Sequence, residues 1–377
     1  ADAVQLTARQ GRLQEVGGVH RPVALARADQ RVHLVDEQDD LAGFRLNLVQ
    51  NRLQPLLELA AIFRAGDQRA EIERHKLSVA QRFRHVAGDD SIGETFELSA
   101  YKGRESVAVA GPCAGRSLCE LFEVFGEKLI GAEVWSRYGG SFPLLVKLLD
   151  AQQDLSIQVH PDDAYARLKG LEDAGKMEAW YVLHSDGGRV AYGLEEGVGR
   201  EDFAAAVAQN RVAEVIRFYT VARGDLVFSP PGIVHALCAG VVIYEVQQSS
   251  DLTFRIYDYD RPGLDGKPRE LHIEQALEVI DFAQQLPGPV AHPDLDNEIL
   301  VESEHFVLRG CGLEQGAAEH AAEGSFLALT LVGGRALLRG GEGDYELGAG
   351  ATALVPAGGV CEIAPLGDEK LEYLVAS

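Results

Sequence analysis

The sequence predicts a mainly β fold with helical insertions, built as two jelly-roll β-barrels in tandem behind an atypical N-terminal segment. Three observations predict it. From residue 93 onward, short runs alternate polar and apolar side chains at the period of strands, as in Ser156-Ile157-Gln158-Val159-His160 and Thr253-Phe254-Arg255-Ile256-Tyr257. A turn with one fixed glycine and proline spacing occurs twice, at 224–235 and at 350–361. Helical patterns are few and fall between the strand patterns.

With 377 residues, 46% of them apolar, the chain can bury more than one sizeable core. No apolar run approaches the roughly 20 residues of a membrane helix, and no signal-peptide pattern is read at residue 1. Five scattered cysteines without a C-x-x-C pair read as reduced thiols of a cytoplasmic protein. A formal charge of -23 excludes nucleic acid as a partner, because polyphosphate would be repelled. A small phosphorylated ligand would need a local cluster of Lys and Arg.

Residues 1–92 differ from the rest. Up to residue 90 they hold one lysine, Lys76, twelve arginines, no Trp, Tyr, Cys or Met, and thirteen acidic against thirteen basic residues. The whole net charge therefore belongs to the remainder of the chain. Leu46 to Leu59 is helical in pattern, though Pro55 interrupts it. His20, His33, His75 and His85 are widely spaced and read as surface residues. The first methionine is Met177, so residue 1 is read as no translation start. The segment is expected to be an upstream extension, non-native or poorly ordered, with an appended helical domain as the alternative, ahead of a first domain at 93–285 and a second at 286–377.

Structured sequence opens at Gly93-Glu94-Thr95. Ser117 to Ile130 spaces Leu118, Leu121, Phe122, Phe125 and Leu129 as a helix does. Phe142 to Asp150 is an apolar run of strand length carrying Lys147 in its interior. A buried lysine is costly unless paired or used, so Lys147 is either a functional cation or a snorkelling surface residue. In Ser156 to His160 the alternation sends Gln158 and His160 to one face. Pro161 ends that strand, and Asp162-Asp163 cap a helix through Leu168. By itself Gln-x-His reads more readily as a satisfied core histidine than as a ligand pair. Gly175 to Leu183 puts Lys176, Glu178 and Trp180 on one face, where a plain ion pair is the bland reading. Residues 200–219 suit an amphipathic helix. Val241–Gln248 and Thr253–Tyr257 read as strands joined at Ser249-Ser250-Asp251, with Thr253, Arg255 and Tyr257 on a shared face. Beyond them come a turn through Gly263 to Gly266 and a helix from about Arg269 through Ala283.

The turn at 224–235 shifts these odds. It fits G-x5-P-x-G-x2-H, the second motif of the cupin family: a strand, a tight Pro-Gly turn, and His235 aimed back into a small barrel. Gln158, His160 and Glu178 resemble the first cupin motif, with Gln in place of its first His. Four N/O donors from separated strands then converge on a metal. At 350–361 the same spacing ends in Cys361, and no Gln-x-His precedes it, so the second barrel is expected to be metal-free.

Residues 93–377 resemble the type I mannose-6-phosphate isomerases of the short bacterial kind. The resemblance rests on Phe142 to Asp163, Gly175 to Leu183, Gly232 to Gly240, Gln247 to Arg261 and Pro268 to His272. It implies one zinc ion per chain on Gln158, His160, Glu178 and His235. It matches Arg255 to the family's active-site arginine, and Lys176 and Asp251 to positions of proton transfer or substrate positioning. The family's first strand and Trp-Gly-Gly segment have no counterpart in 1–92. The implied reaction interconverts mannose 6-phosphate and fructose 6-phosphate through an enediol, whose developing charge a metal would stabilise. Lys176 is a candidate base, with zinc-bound water as the alternative. Arg255 could grip the phosphate or stabilise the enediolate, and Lys147, Arg255 and Arg269 supply the basic cluster that an acidic protein needs.

Two rivals stay open. Cupin sites also hold iron for oxygenases, although that chemistry has no use for Lys176 and Arg255. A non-catalytic sugar-binding barrel would leave the Asp251/Arg255 pair without a purpose. The expected partner is a small phosphosugar, with no membrane and no nucleic acid. No feature sets the oligomeric state, and a monomer would suffice.

Overall fold

The computed structural model describes residues 61–64, 66–67, 93–261, 266–284, 286–341 and 343–377. The helix expected at 46–59, the four early histidines and positions 263–265 of the expected turn lie outside the described residues. In chain order the first strands are β1 (Ala61–Arg64), β2 (Gly66–Asp67), β3 (Glu94–Leu98), β4 (Val107–Ala110), β5 (Leu144–Ala151), β6 (Ile157–Val159) and β7 (Glu178–Ser185). Next come β8 (Arg189–Leu194), β9 (Ile216–Thr220), β10 (Asp225–Ser229), β11 (His235–Leu237), β12 (Val241–Gln248), β13 (Phe254–Tyr257) and β14 (Val290–Ala291). The last are β15 (Glu298–Glu302), β16 (Val307–Leu313), β17 (Ala318–Ala321), β18 (Leu327–Gly333), β19 (Arg335–Gly340), β20 (Gly343–Gly348), β21 (Thr352–Val355), β22 (Val360–Pro365) and β23 (Leu371–Ala376).

They form antiparallel sheets in the orders β14-β10-β7-β12-β5-β3-β2, β13-β6-β11-β8-β9, β15-β16-β23-β18-β21-β1-β4 and β17-β22-β19-β20. The first two enclose a core of Trp180, Val182, Val190, Tyr192, Val227, Leu237 and Ile243. The last two enclose Leu329, Leu331, Leu338, Leu347, Val355, Ile363 and Tyr373. Between the pairs, Val146, Tyr181, Tyr244 and Val246 of the first sheet pack against Leu308, Ala328, Leu354 and Leu374 of the third. The first sheet is therefore covered on both faces, which explains why all eight residues of β12 are buried and why its sequence does not alternate. β1 and β2 join the third and first sheets from within the segment expected to be an extension. β14 still pairs with β10, five residues past the expected boundary at 285.

The helix expected over 200–219 ends at Ala208. Asn210 turns the chain at φ 56, and Ile216–Thr220 becomes β9 beside β8. Its sequence, Ile-Arg-Phe-Tyr-Thr, is β-branched and aromatic, and pairing won over the helical spacing. The first helical insertion, Leu118–Phe125, begins in a Ser117/Glu120 capping box and buries Leu118, Leu121 and Phe122. It continues through Glu127–Ile130 and Ala132–Tyr138, and Gly131 between these last two is held at φ 91, ψ 153. A Cβ there would lie 2.1 Å from the carbonyl oxygen of Gly324. Gly131→Ala is therefore expected to destabilise the fold by about 3 kcal/mol, because that backbone region is nearly glycine-only. An unchanged urea midpoint would contradict this.

No helix among the described residues is long and apolar enough to cross a membrane.

Candidate metal centre and substrate cavity

Three strands carry the donors, β6, β7 and β11. β6 is paired to β11 with His235 opposite Gln158, and to β13 with Arg255 opposite Gln158. Arg255, Gln158 and His235 thus form a row across three neighbouring strands. Glu178 begins β7 in the facing sheet. The Pro-Gly turn docks directly on the ligand strand, where Gly232 N–H donates to the His160 carbonyl at 2.9 Å. Gly232 sits at φ 89, and a Cβ would meet the Val279 oxygen at 3.0 Å, so the turn depends on glycine.

His160, Glu178 and His235 are buried together, their ligand atoms within 4.8 Å of one another. Each imidazole has its Nδ1 committed to a backbone carbonyl: His160 to Leu252 and His235 to Ile233, both at 2.8 Å. That assigns the ring proton to Nδ1 and leaves both Nε2 lone pairs facing inward. The two Nε2 atoms are 3.2 Å apart. Glu178 Oε1 lies 3.0 Å from His235 Nε2, and Oε2 lies 3.5 Å from His160 Nε2. Burial, and then the Lys176 ammonium, push His160 down to about 3, so the ring is neutral. Burial alone would raise Glu178, but the Lys176 ammonium holds it well below the usual carboxylate range. Lys176 Nζ stands 2.9 Å from Glu178 Oε2, yet neither carboxylate oxygen has a hydrogen bond of good geometry.

Two Nε2 atoms and a buried carboxylate whose oxygens lack a well-formed hydrogen bond converge on one point, an arrangement that a cation between them would stabilise. Two imidazoles and a carboxylate fit a divalent metal. Gln158 brings its amide to 3.4 Å from His235 Nε2, and its oxygen is the atom suited to complete the set. Among the described residues, no second such group occurs. Cys361, on β22 opposite His320, is buried with its thiol pushed up by burial.

Beside these donors lies a cavity of about 180 Å³ lined by Gln158, Lys176, Asp251, Arg255, Lys147 and Arg269, with Glu94, Trp180 and Glu245. The predicted site residues meet here, but their engagements differ. Lys176 is aimed by its neighbours: its N–H donates to the Pro161 carbonyl at 3.0 Å, and Asp163 accepts from Gly175 N–H at 2.7 Å. A side chain at Gly175 would strike Asp163 N at 2.4 Å. Arg255 donates from Nη1 to the Glu270 carbonyl at 3.2 Å, and its buried Nε finds no acceptor among the described residues. Burial, then Arg269, lower its affinity for its proton. Lys147, expected either as a phosphate ligand or as a surface lysine, is buried and bridges Glu94 at 3.0 Å and Glu245 at 3.5 Å. Those carboxylates outweigh desolvation and raise its pKa. Its charge is already matched inside the protein.

Arg104, which no local pattern marks, meets Asp251 Oδ2 at 3.0 Å, while Asp173 accepts from Asp251 N–H at 3.0 Å. Glu245 accepts from Trp180 Nε1 at 2.8 Å, and burial next to Glu178 raises its pKa. Alternation on β12 exposes neither fact, because both faces of that strand are buried.

Comparison with known proteins places this site in context. A family model described as phosphomannose isomerase type I, catalytic domain, matches residues 74–187. The chain is 33% identical over 299 residues to the mannose-6-phosphate isomerase ManA of Bacillus subtilis, covering 77% of this chain and 89% of that protein. It is 32% identical over 284 residues to the mannose-6-phosphate isomerase of Streptococcus mutans, covering 73% and 86%. The crystal structure of a mannose 6-phosphate isomerase from Bacillus subtilis superposes with a TM-score of 0.72 at 28% identity, over 84% of this chain and 99% of that one. A mannose 6-phosphate isomerase solved with bound zinc and yttrium matches at a TM-score of 0.63 and 17% identity, over 84% and 98%, a likeness of fold.

Proposed function

Since the chain belongs to the type I phosphomannose isomerase family and is an aldose–ketose isomerase of mannose 6-phosphate, we propose that it works through an enediol with one zinc ion. Gln158, His160, Glu178 and His235 would hold the metal. When bound, zinc would supply Lewis-acid stabilisation of negative charge on the substrate's oxygens. The observation that carries this reading is the pair of inward Nε2 lone pairs facing the unbonded oxygens of Glu178.

The remaining chemistry falls to the chain's own groups. A base removes the C2 proton of the open-chain aldose while O1 gains a proton, giving the enediol. O2 then loses its proton as C1 receives one, giving the ketose. Lys176 and Asp251, both on the cavity wall, are the groups proposed to move these protons. Arg255 would stabilise the enediolate oxygens, and Arg269 would hold the phosphate. Lys147, paired with two carboxylates, is proposed to shape the far wall. The catalytic half would comprise 93–285 and the metal-free half 286–377, and five free thiols support a reducing, cytoplasmic setting.

The test is conversion of mannose 6-phosphate to fructose 6-phosphate before and after chelation. Chelation is expected to abolish turnover, and stoichiometric zinc to restore it. Full turnover by metal-stripped protein would overturn the metal role. No turnover with zinc bound would overturn the reaction.

A further inference from the structure

We propose that Asp258 is a positioning residue that builds the phosphate corner of the cavity by fixing Arg269 beside Arg255. The inference rests on the proposed reading that the substrate is a phosphosugar. Asp258 comes directly after β13 and is 4% exposed. Its Oδ2 accepts from Arg269 Nε at 2.6 Å, and its Oδ1 accepts from Arg269 Nη2 and, at 2.8 Å, from Arg261 Nη2. The Asp258 carbonyl also accepts from Arg261 Nε at 3.2 Å.

A two-point grip on the Nε/Nη2 edge fixes the guanidinium plane and leaves Nη1 outside the grip. Arg269 lies on the wall of the 180 Å³ cavity and of a neighbouring cavity of about 130 Å³ that Arg261 lines. Asp258 is thus the partition that holds both arginines. Two guanidinium groups, those of Arg261 and Arg269, share this one carboxylate, so the pair keeps one positive charge in excess, and Arg255 stands on the same cavity wall as Arg269. Without Asp258 the arginines would repel one another, and Arg269 would have no fixed direction. With it, the excess charge is aimed as a phosphate dianion requires. Burial would raise the Asp258 pKa, but its bonds to Arg269 and Arg261 hold it below the usual carboxylate range.

The backbone carries a second, independent mark. Tyr259 and Asp260, directly after Asp258, both adopt left-handed conformations, at φ 56 and φ 53. Two consecutive non-glycine residues in that region are strained and persist where the surroundings over-determine them. The strained pair lies between the Asp258 carboxylate and Arg261, and lets one residue serve both guanidinium groups.

The test compares Asp258→Asn with the parent, both metal-loaded. Asparagine keeps the size but removes the charge and one acceptor. The KM for mannose 6-phosphate is expected to rise about tenfold or more with kcat within about twofold, since ground-state and transition-state binding of the phosphate are lost alike. Inorganic phosphate, titrated calorimetrically without substrate, should bind the variant about tenfold more weakly or worse. Unchanged KM and phosphate affinity would overturn the proposal. So would a lower melting temperature and kcat with phosphate affinity intact, which would mark a structural role alone. The phosphate titration needs no turnover: if the parent binds phosphate yet converts no mannose 6-phosphate, the reaction assignment fails while the role of Asp258 is still decided.

Discussion

Replacing His160 with alanine is expected to remove bound metal and turnover together, with kcat falling about a thousandfold or more. The magnitude derives from the charge stabilisation that a metal supplies at a developing enediolate, which is worth several kcal/mol, at about 1.4 kcal/mol per factor of ten. His160 is 1% exposed, its Nδ1 is tied to Leu252, and its Nε2 lies 3.2 Å from that of His235. Alanine takes away one of two imidazole donors, and no third histidine joins the group among the described residues. Metal content per chain and turnover should be read on the same sample, with circular dichroism to show that the fold persists. A folded variant with stoichiometric metal would remove His160 from the ligand set.

Arg255→Ala should behave in the opposite way on metal and alike on rate. Among the described residues its side chain makes one hydrogen bond, to the Glu270 carbonyl, while its strand pairing with Gln158 is made by the backbone. The metal donors should therefore stay in place, and zinc should bind as in the parent. Turnover is expected to fall about a hundredfold to a thousandfold, the cost of deleting one preorganised donor at a developing oxyanion. A variant that turns over normally would show that Arg255 has no part in the transition state. Together, the two variants separate metal loss from loss of charge stabilisation.

The proposed metal donors were legible in the sequence because each sits in a pattern with local meaning. Gln158 and His160 share a strand face, Glu178 opens an apolar strand, and His235 comes after a turn that needs Gly232. What was not legible depends on contacts between distant segments. Nothing around Lys147 announces that Glu94 and Glu245 take its charge, since the three residues lie on β5, β3 and β12 and meet only through sheet pairing. Arg104 reaches Asp251 from a loop nearly 150 positions away, with no periodicity to flag it. The helix over 200–219 failed for a related reason: Ile216–Thr220 has helical spacing in isolation, but an open sheet edge at β8 offered it a ladder. The mainly β character and the repeated turn were visible because they are written in short-range alternation.

The sheet that carries Glu178 has no face to spare. One side looks into the core shared with the β13-β6-β11-β8-β9 sheet and the other is roofed by the strands of the C-terminal half. The second half, with a cysteine where the proposed ligand histidine would stand, thus serves as waterproofing for the first through the shape of its strands. Substitutions at Leu354 or Leu374, far in sequence from any donor, act on the plank to which Lys147, Glu178 and Glu245 are nailed. Catalytic tolerance in this chain should track that plank more closely than distance along the sequence.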